Sequence, residues 1–123
     1  MQILIRLLLV LAACTATGVL AAGAVEKTWK LSIVRGAVAA DQRVLTVGKG
    51  DAVRLTVTSD APGEIHLHGY RLQAQLAPGR PAQLAFKAHA TGRYPLEWHG
   101  AGAASSTRPH RGPPLATLEV RPR

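Results

Sequence analysis

The stretch that decides the fold runs from Glu64 to Tyr70 and reads Glu-Ile-His-Leu-His-Gly-Tyr. Its two histidines, His66 and His68, alternate with apolar side chains, which is the two-residue period of a β-strand with one face in a core. Both imidazoles therefore project from the same face of the strand. Histidine is a common metal ligand, so this geometry marks a candidate metal site. The other face, with Ile65 and Leu67, would pack inside the protein.

Short alternating runs of the same kind recur on both sides of this stretch, separated by Gly, Pro and Asp. No helical period persists for more than a turn or two, so the pattern predicts an all-β sandwich or barrel. One run contains Pro95, which predicts a strand at a sheet edge because proline cannot donate to a β-ladder. The apolar residues of the runs are Trp29, Leu31, Ile33, Val44, Val47, Val53, Leu55, Val57, Leu72, Ala74, Leu76, Leu84, Phe86, Tyr94, Leu96, Trp98, Ala116, Leu118 and Val120.

The N-terminal segment differs from the rest and predicts a signal peptide over residues 1–24. Arg6 supplies a positive charge, the following residues are small and apolar, and Ala22-Gly23-Ala24 offers the small residues that a signal peptidase requires. A lipoprotein signal that ends before Cys14 is the alternative, because Leu-Ala-Ala-Cys resembles a lipobox.

Both alternatives predict an exported protein, periplasmic or secreted, with one domain over residues 25–123. We expect membrane attachment only if Cys14 is lipidated. Cys14 is the only cysteine, so disulfide bonds do not stabilise the domain.

The formal net charge of +8 gives the chain a basic surface. Its basic residues are scattered and no aromatic residues lie between them, so we expect no nucleic-acid partner. No serine stands in a nucleophile context and the carboxylates are dispersed, so we expect that the protein is not an enzyme. The sequence identifies no protein partner.

Two further histidines follow the Tyr94 to Trp98 run: His99 directly after it, and His110 in a segment rich in Gly, Ala, Ser and Pro. That composition predicts a loop from His99 to Pro114, about fifteen residues long, and loops of this length tend to be functional or disordered. Glu64 and Glu97 lie near the histidines and could orient an imidazole. The fifth histidine, His89, is expected to be merely exposed.

These features together resemble the cupredoxin superfamily, especially exported bacterial cupredoxin-like proteins. The residues that carry the resemblance are 47–57, 64–70, 76–79, 91–94 and 118–122. It covers nearly all of the chain after the signal segment. It implies a two-sheet Greek-key β-sandwich with copper at one end, bound by one histidine from the middle of the chain and by ligands from a C-terminal loop.

The resemblance implies that His68 is the mid-chain ligand, because Gly69 and Tyr70 follow it as short polar and aromatic residues follow the family's histidine. Trp98 stands where the family has its cysteine ligand, and His110 could take the place of the loop histidine. A blue-copper centre requires a cysteine sulfur, so we expect no such centre.

We expect instead an all-nitrogen copper site formed by His68 with His66, His99 and His110. These donors suit Cu(II) and, less selectively, Zn or Ni. The alternative is a metal-free interaction module that docks an acidic or membrane-bound partner with its basic surface. A shared site requires that His68 and His99 lie within several ångströms of one another, that Leu67 is buried and that Trp98 is largely buried.

Overall fold

The structure, a computed structural model, describes residues 23–101 and 112–123. Cys14, most of the predicted signal segment and His110 lie outside these residues, so the predictions on them stay predictions. The described residues form one turn of 3-10 helix, Ala40–Gln42, and eight strands. The strands are β1 (Glu26–Ile33), β2 (Val44–Gly48), β3 (Ala52–Ser59), β4 (Gly63–Leu67), β5 (Leu72–Leu76), β6 (Ala82–Lys87), β7 (Gly92–Gly100) and β8 (Ala116–Arg121).

The strands form two sheets, one with the order β1-β3-β6 and one with the order β2-β8-β7-β4-β5. Each sheet is mixed, because β1 runs parallel to β3 and β2 runs parallel to β8, whereas the other neighbours are antiparallel. Strands that are neighbours in space but not in sequence require crossovers between the sheets. The prediction of an all-β, two-sheet sandwich is confirmed.

One apolar core fills the space between the two sheets, and it takes alternate residues from each strand. Leu31 and Ile33 of β1 are buried, as are Leu118 and Val120 of β8. The alternation that the sequence showed is thus the alternation of core and solvent faces. On the histidine strand, Leu67 is 2% exposed, as expected.

Two details of β7 differ from the sequence-based expectation. The strand lies in the middle of the larger sheet, between β8 and β4, so the edge position predicted from Pro95 is wrong. Proline is tolerated there because the β4–β7 ladder ends beside it: the last pair in the register is Leu67 with Leu96, and the Pro95 carbonyl accepts a final hydrogen bond from the His68 N–H at 3.0 Å. β7 also continues through His99 to Gly100, so the predicted loop begins two residues later.

A buried carboxylate, Asp51, fastens the chain at the turn between β2 and β3. Asp51 is completely buried and accepts hydrogen bonds from the N–H groups of Gly48, at 2.7 Å, and Val25, at 3.3 Å. The guanidinium of Arg123 forms an ion pair with the same side chain. These contacts join the start of β1, the turn between β2 and β3, and the C-terminal residue.

Candidate functional site

His66 of β4 and His68, which follows the strand, lie on the side of the five-stranded sheet opposite the buried Ile65 and Leu67. β4 pairs with β7 so that Glu64 stands opposite His99 and His66 stands opposite Glu97. Acidic and imidazole side chains therefore alternate both along and across the two strands. Cross-strand neighbours in antiparallel pairs have Cβ atoms about 5 Å apart, so the two side chains of each opposite pair are within contact distance.

His66 contacts the Glu64 carboxylate through Nε2. The second oxygen of Glu64 accepts a hydrogen bond from the side-chain amide of Gln75, which stands opposite it on β5. A carboxylate held by the neighbouring strand thus fixes the His66 ring. Gln75 was missed by the sequence analysis. The alternation of Gln73 and Gln75 with apolar residues was the available signal, because it places both amides on the histidine face.

Glu97 contacts the imidazoles of both His68 and His99. Its Oε2 atom lies 3.0 Å from Nε2 of His68 and 3.7 Å from Nε2 of His99. His68 follows the end of β4 and its side chain is 49% exposed, compared with 34% for His66 and 30% for His99. The three imidazoles therefore form one cluster that solvent reaches.

The ring spacings distinguish the members of the cluster. The centroids of the His66 and His99 rings are 4.8 Å apart and their planes meet at 62°. Two imidazoles that bind one ion through bonds of about 2 Å, at angles between right and tetrahedral, have centroids roughly 4.5–5 Å apart. His66 and His68 are 6.4 Å apart. The His66–His99 ring spacing falls within this range, but Nε2 of His66 contacts Glu64 and Nε2 of His99 contacts Glu97. To bind one ion, these rings and the more exposed His68 ring would have to turn.

The donor types at this face suit copper, but the side chains are paired with one another. Within residues 23–101 and 112–123, no three His, Cys, Asp or Glu side chains converge in a way that would hold a metal ion as they stand. His68 and His99 both contact Glu97, so their side chains lie within several ångströms of one another, as the sequence analysis expected of a shared site. His89 is exposed and packs against Tyr70 instead, with ring centroids 4.8 Å apart.

Trp98 occupies the position where the resemblance places a cysteine, and glycines make room for it. Its ring packs over Gly63, where a Cβ atom would collide with the indole, and its Nε1 edge lies near Gly36 and Gly100. The side chain is partly buried and packs against the core. It forms one wall of a cavity of about 330 Å³ together with Val38, Arg43 and Leu115, among others.

No protein-family model matches the chain, and no curated protein matches it. Solved structures do. A chain of a heme-copper terminal oxidase dimer is 17% identical, with a TM-score of 0.58, over 77% of this chain and 65% of that one. A multicopper oxidase is 21% identical, with a TM-score of 0.57, over 79% of this chain and 42% of that one. A copper binding protein solved by NMR in its apo form is 10% identical, with a TM-score of 0.56, over 78% of this chain and 88% of that one.

These likenesses show that the chain has a cupredoxin-like fold. The chain spans less than two thirds of the length of the oxidases that it matches. In the part of the chain that the structure describes, no helix has the length and apolar character needed to cross a membrane.

Proposed function

We propose that this protein binds copper through a histidine-only site and serves as a periplasmic copper-binding or accessory protein. The observation that carries the proposal is the spacing of the His66 and His99 rings on one exposed sheet face, with His68 beside them. The copper proteins among its structural neighbours support the choice of metal. His110, which lies outside the described residues, is the fourth candidate ligand.

The residues present favour binding of Cu(II) without a blue-copper centre. Imidazole nitrogens are good ligands for Cu(II), and no cysteine follows residue 14 to supply a thiolate. Glu64 and Glu97 would hold the rings in position, as carboxylates do around many metal-binding histidines. Binding and delivery, and not catalysis, is the role that we assign to the site.

Calorimetry with Cu(II) on the purified exported protein tests the proposal. We expect His68→Ala, His66→Ala and His99→Ala each to weaken copper binding. His89→Ala is the matched control, because His89 is exposed but packs against Tyr70, away from the cluster. Wild-type protein that takes up copper no more tightly than each of the three variants would refute the proposal.

Electron paramagnetic resonance of the copper-loaded protein gives an independent measurement. Several bound imidazoles would produce superhyperfine coupling from several nitrogens. Loss of part of this coupling in His99→Ala, but not in His89→Ala, would identify His99 as a ligand. A spectrum without nitrogen coupling would contradict the proposal.

A metal-free interaction module is the second candidate, and one observation favours it. The carboxylates already give His66, His68 and His99 partners without an ion. In this reading the sandwich docks an acidic or membrane-bound partner with its basic surface. Nitrogen-coupled copper of the kind just described would exclude the metal-free reading.

A further inference from the structure

We infer that the end of the sandwich around Asp51 docks on an anionic membrane surface through a basic patch. The patch consists of five exposed side chains: Lys27, Lys49, Arg71, Lys87 and Arg93. Its ligands would be the phosphate groups of acidic phospholipids. This inference assigns a surface and a partner to the basic character that the second candidate function uses, and it does not depend on bound copper.

Strand pairing brings these residues to one end of the sandwich. Lys27 lies at the start of β1 and Lys87 at the end of β6, and both strands pair with the start of β3. The turn before β3 carries Lys49, whose N–H donates to the carbonyl of Arg121 at the end of β8, at 2.8 Å. Arg93 lies at the start of β7, which pairs with the end of β8. Both sheets therefore contribute cations to the same end.

Arg71 belongs to the turn between β4 and β5, and aromatic contacts hold that turn at the same end. The ring of the preceding Tyr70 packs against Phe86 near the end of β6 and against Tyr94 near the start of β7, with centroids 4.8 and 4.9 Å away. The five cations thus come from five segments that are distant in sequence. For this reason the sequence showed them only as scattered charges.

The carboxylates at this end leave the patch uncompensated. Each of the three forms an ion pair with an arginine outside the patch: Asp51 with Arg123, Glu119 with Arg121, and Glu26 with Arg54. Among the residues that the structure describes, no carboxylate forms an ion pair with a member of the patch. Arg93 has Glu119 as a cross-strand neighbour, but that carboxylate pairs with Arg121. The exposed positive charges therefore favour an anionic partner.

The position of the N-terminal residues favours a membrane as that partner. The N–H of Val25 donates to Asp51, and the carbonyl of Gly23 accepts from Arg123, so the chain enters the domain at this end. Cys14, the residue that a lipoprotein signal would lipidate, precedes Gly23 by nine residues, which span at most about 30 Å when extended. A lipid on Cys14 would hold the basic end beside the bilayer. Clusters of about four to eight Lys and Arg residues at a membrane bind acidic lipids.

Sedimentation with vesicles tests the inference. The purified exported protein, without copper, is mixed with vesicles of phosphatidylglycerol and phosphatidylcholine or with vesicles of phosphatidylcholine alone. Because a lipid anchor binds both kinds of vesicle, the difference between them measures the charge-dependent part. We expect tighter binding to the mixed vesicles, and we expect the difference to disappear at about 0.5 M salt, where charges are screened. Equal binding to both kinds of vesicle at low salt, or binding to neither, would overturn the inference.

Matched double variants locate the surface. Lys49→Gln/Lys87→Gln removes two charges from the patch, and each should weaken binding to the mixed vesicles about fivefold. Lys30→Gln/Arg80→Gln removes the same charge from exposed positions in the middle of β1 and in the turn between β5 and β6. We expect a loss of about 25-fold for the first variant and of less than about threefold for the second. Equal losses in two variants with wild-type circular dichroism would show that net charge alone drives binding, which contradicts the inference.

Polyglutamate distinguishes the membrane from an acidic protein partner. It is added to protein bound to the mixed vesicles, at a carboxylate concentration equal to that of the phosphatidylglycerol. We expect the protein to stay on the vesicles. Complete transfer to polyglutamate would show that the patch prefers acidic polypeptides and would overturn the inference. None of these results bears on copper binding, which calorimetry tests separately.

Discussion

Two carboxylates in this protein, Asp51 and Glu97, show how similar groups serve different purposes. Asp51 is completely buried, and two of its partners are backbone N–H groups whose positions the fold determines. The side chain of Glu97 is 27% exposed, and it contacts the side chains of His68 and His99. A carboxylate bound by backbone stabilises one conformation, whereas one that contacts solvent-accessible imidazoles can orient them.

The electrostatic environment of Asp51 agrees with a structural role. The hydrogen bond from the Gly48 N–H lowers the pKa of the Asp51 carboxyl, and the Val25 N–H and Arg123 act in the same direction, whereas burial opposes them. The fold thus favours the charged form of Asp51.

Removing the charge of Asp51 is expected to have the largest effect on stability. Asp51→Asn takes away the partner of Arg123 and places an amide N–H₂ among groups that donate hydrogen bonds. We expect its melting temperature, measured by circular dichroism, to fall further than that of Gly63→Ala or Glu97→Gln. Asp60→Asn is the control, because Asp60 is an exposed carboxylate that accepts from one backbone N–H. Equal melting temperatures for Asp51→Asn and Asp60→Asn would show that the Asp51 contacts do not stabilise the fold.

Acid should remove the same contribution. Because the pKa of Asp51 is lower in the folded protein, its contribution is fully present above the ordinary pKa of 3.8 and is lost as the pH falls through the folded-state pKa. Urea unfolding at pH 7 and at pH 3 should therefore show a smaller loss for Asp51→Asn than for the wild type.

A second acidic group requires a control in the acid experiment. A hydrogen bond from Arg121 lowers the pKa of Glu119, so this group loses stabilisation in the same direction. Measuring Asp51→Asn in a Glu119→Gln background isolates the contribution of Asp51. If the Glu119→Gln variant and the Glu119→Gln/Asp51→Asn variant lost stability equally in acid, the structural role of the Asp51 charge would be disproved.

A methyl group at Gly63 should have an intermediate effect. A Cβ atom there would collide with the Trp98 ring and the His99 carbonyl, and overpacking of this kind costs about 1–3 kcal/mol. Chemical denaturation measures the change. Gly112→Ala is the matched control, since among the described residues a Cβ atom at Gly112 would meet nothing within 4 Å, and surface changes of this kind stay within about 0.5 kcal/mol. Indistinguishable variants would mean that Trp98 moves aside freely.

The smallest effect on stability is expected at Glu97. Glu97→Gln weakens only the contacts with the solvent-accessible rings of His68 and His99. The free energy of unfolding should therefore change by less than about 0.5 kcal/mol. Copper affinity should nevertheless fall about 10–100-fold, because the carboxylate orients His68 and His99. Calorimetry compares this variant with Glu26→Gln, whose carboxylate pairs with Arg54 on the other sheet. A loss of unfolding free energy in Glu97→Gln as large as that in Asp51→Asn would show that the two carboxylates do not differ in their roles.

The candidate site was partly predictable from sequence. The alternation from Glu64 to His68 placed His66 and His68 outside and Leu67 inside, and both placements are correct. The sequence also indicated Glu64 and Glu97 as groups that could orient imidazoles. It did not indicate Gln75, because the contact of Gln75 with Glu64 depends on which strand pairs with β4 and in which register.

The amino-acid sequence by itself determined the strands and their inner and outer faces, because the two-residue period is a local property of the backbone. Only the tertiary structure decided that His99 stands opposite Glu64 and that Pro95 lies inside a sheet. It also brought Arg123 to Asp51 across 72 positions of the chain. Strand pairing and register depend on contacts between distant segments that bury a common core, and no local spacing encodes those contacts.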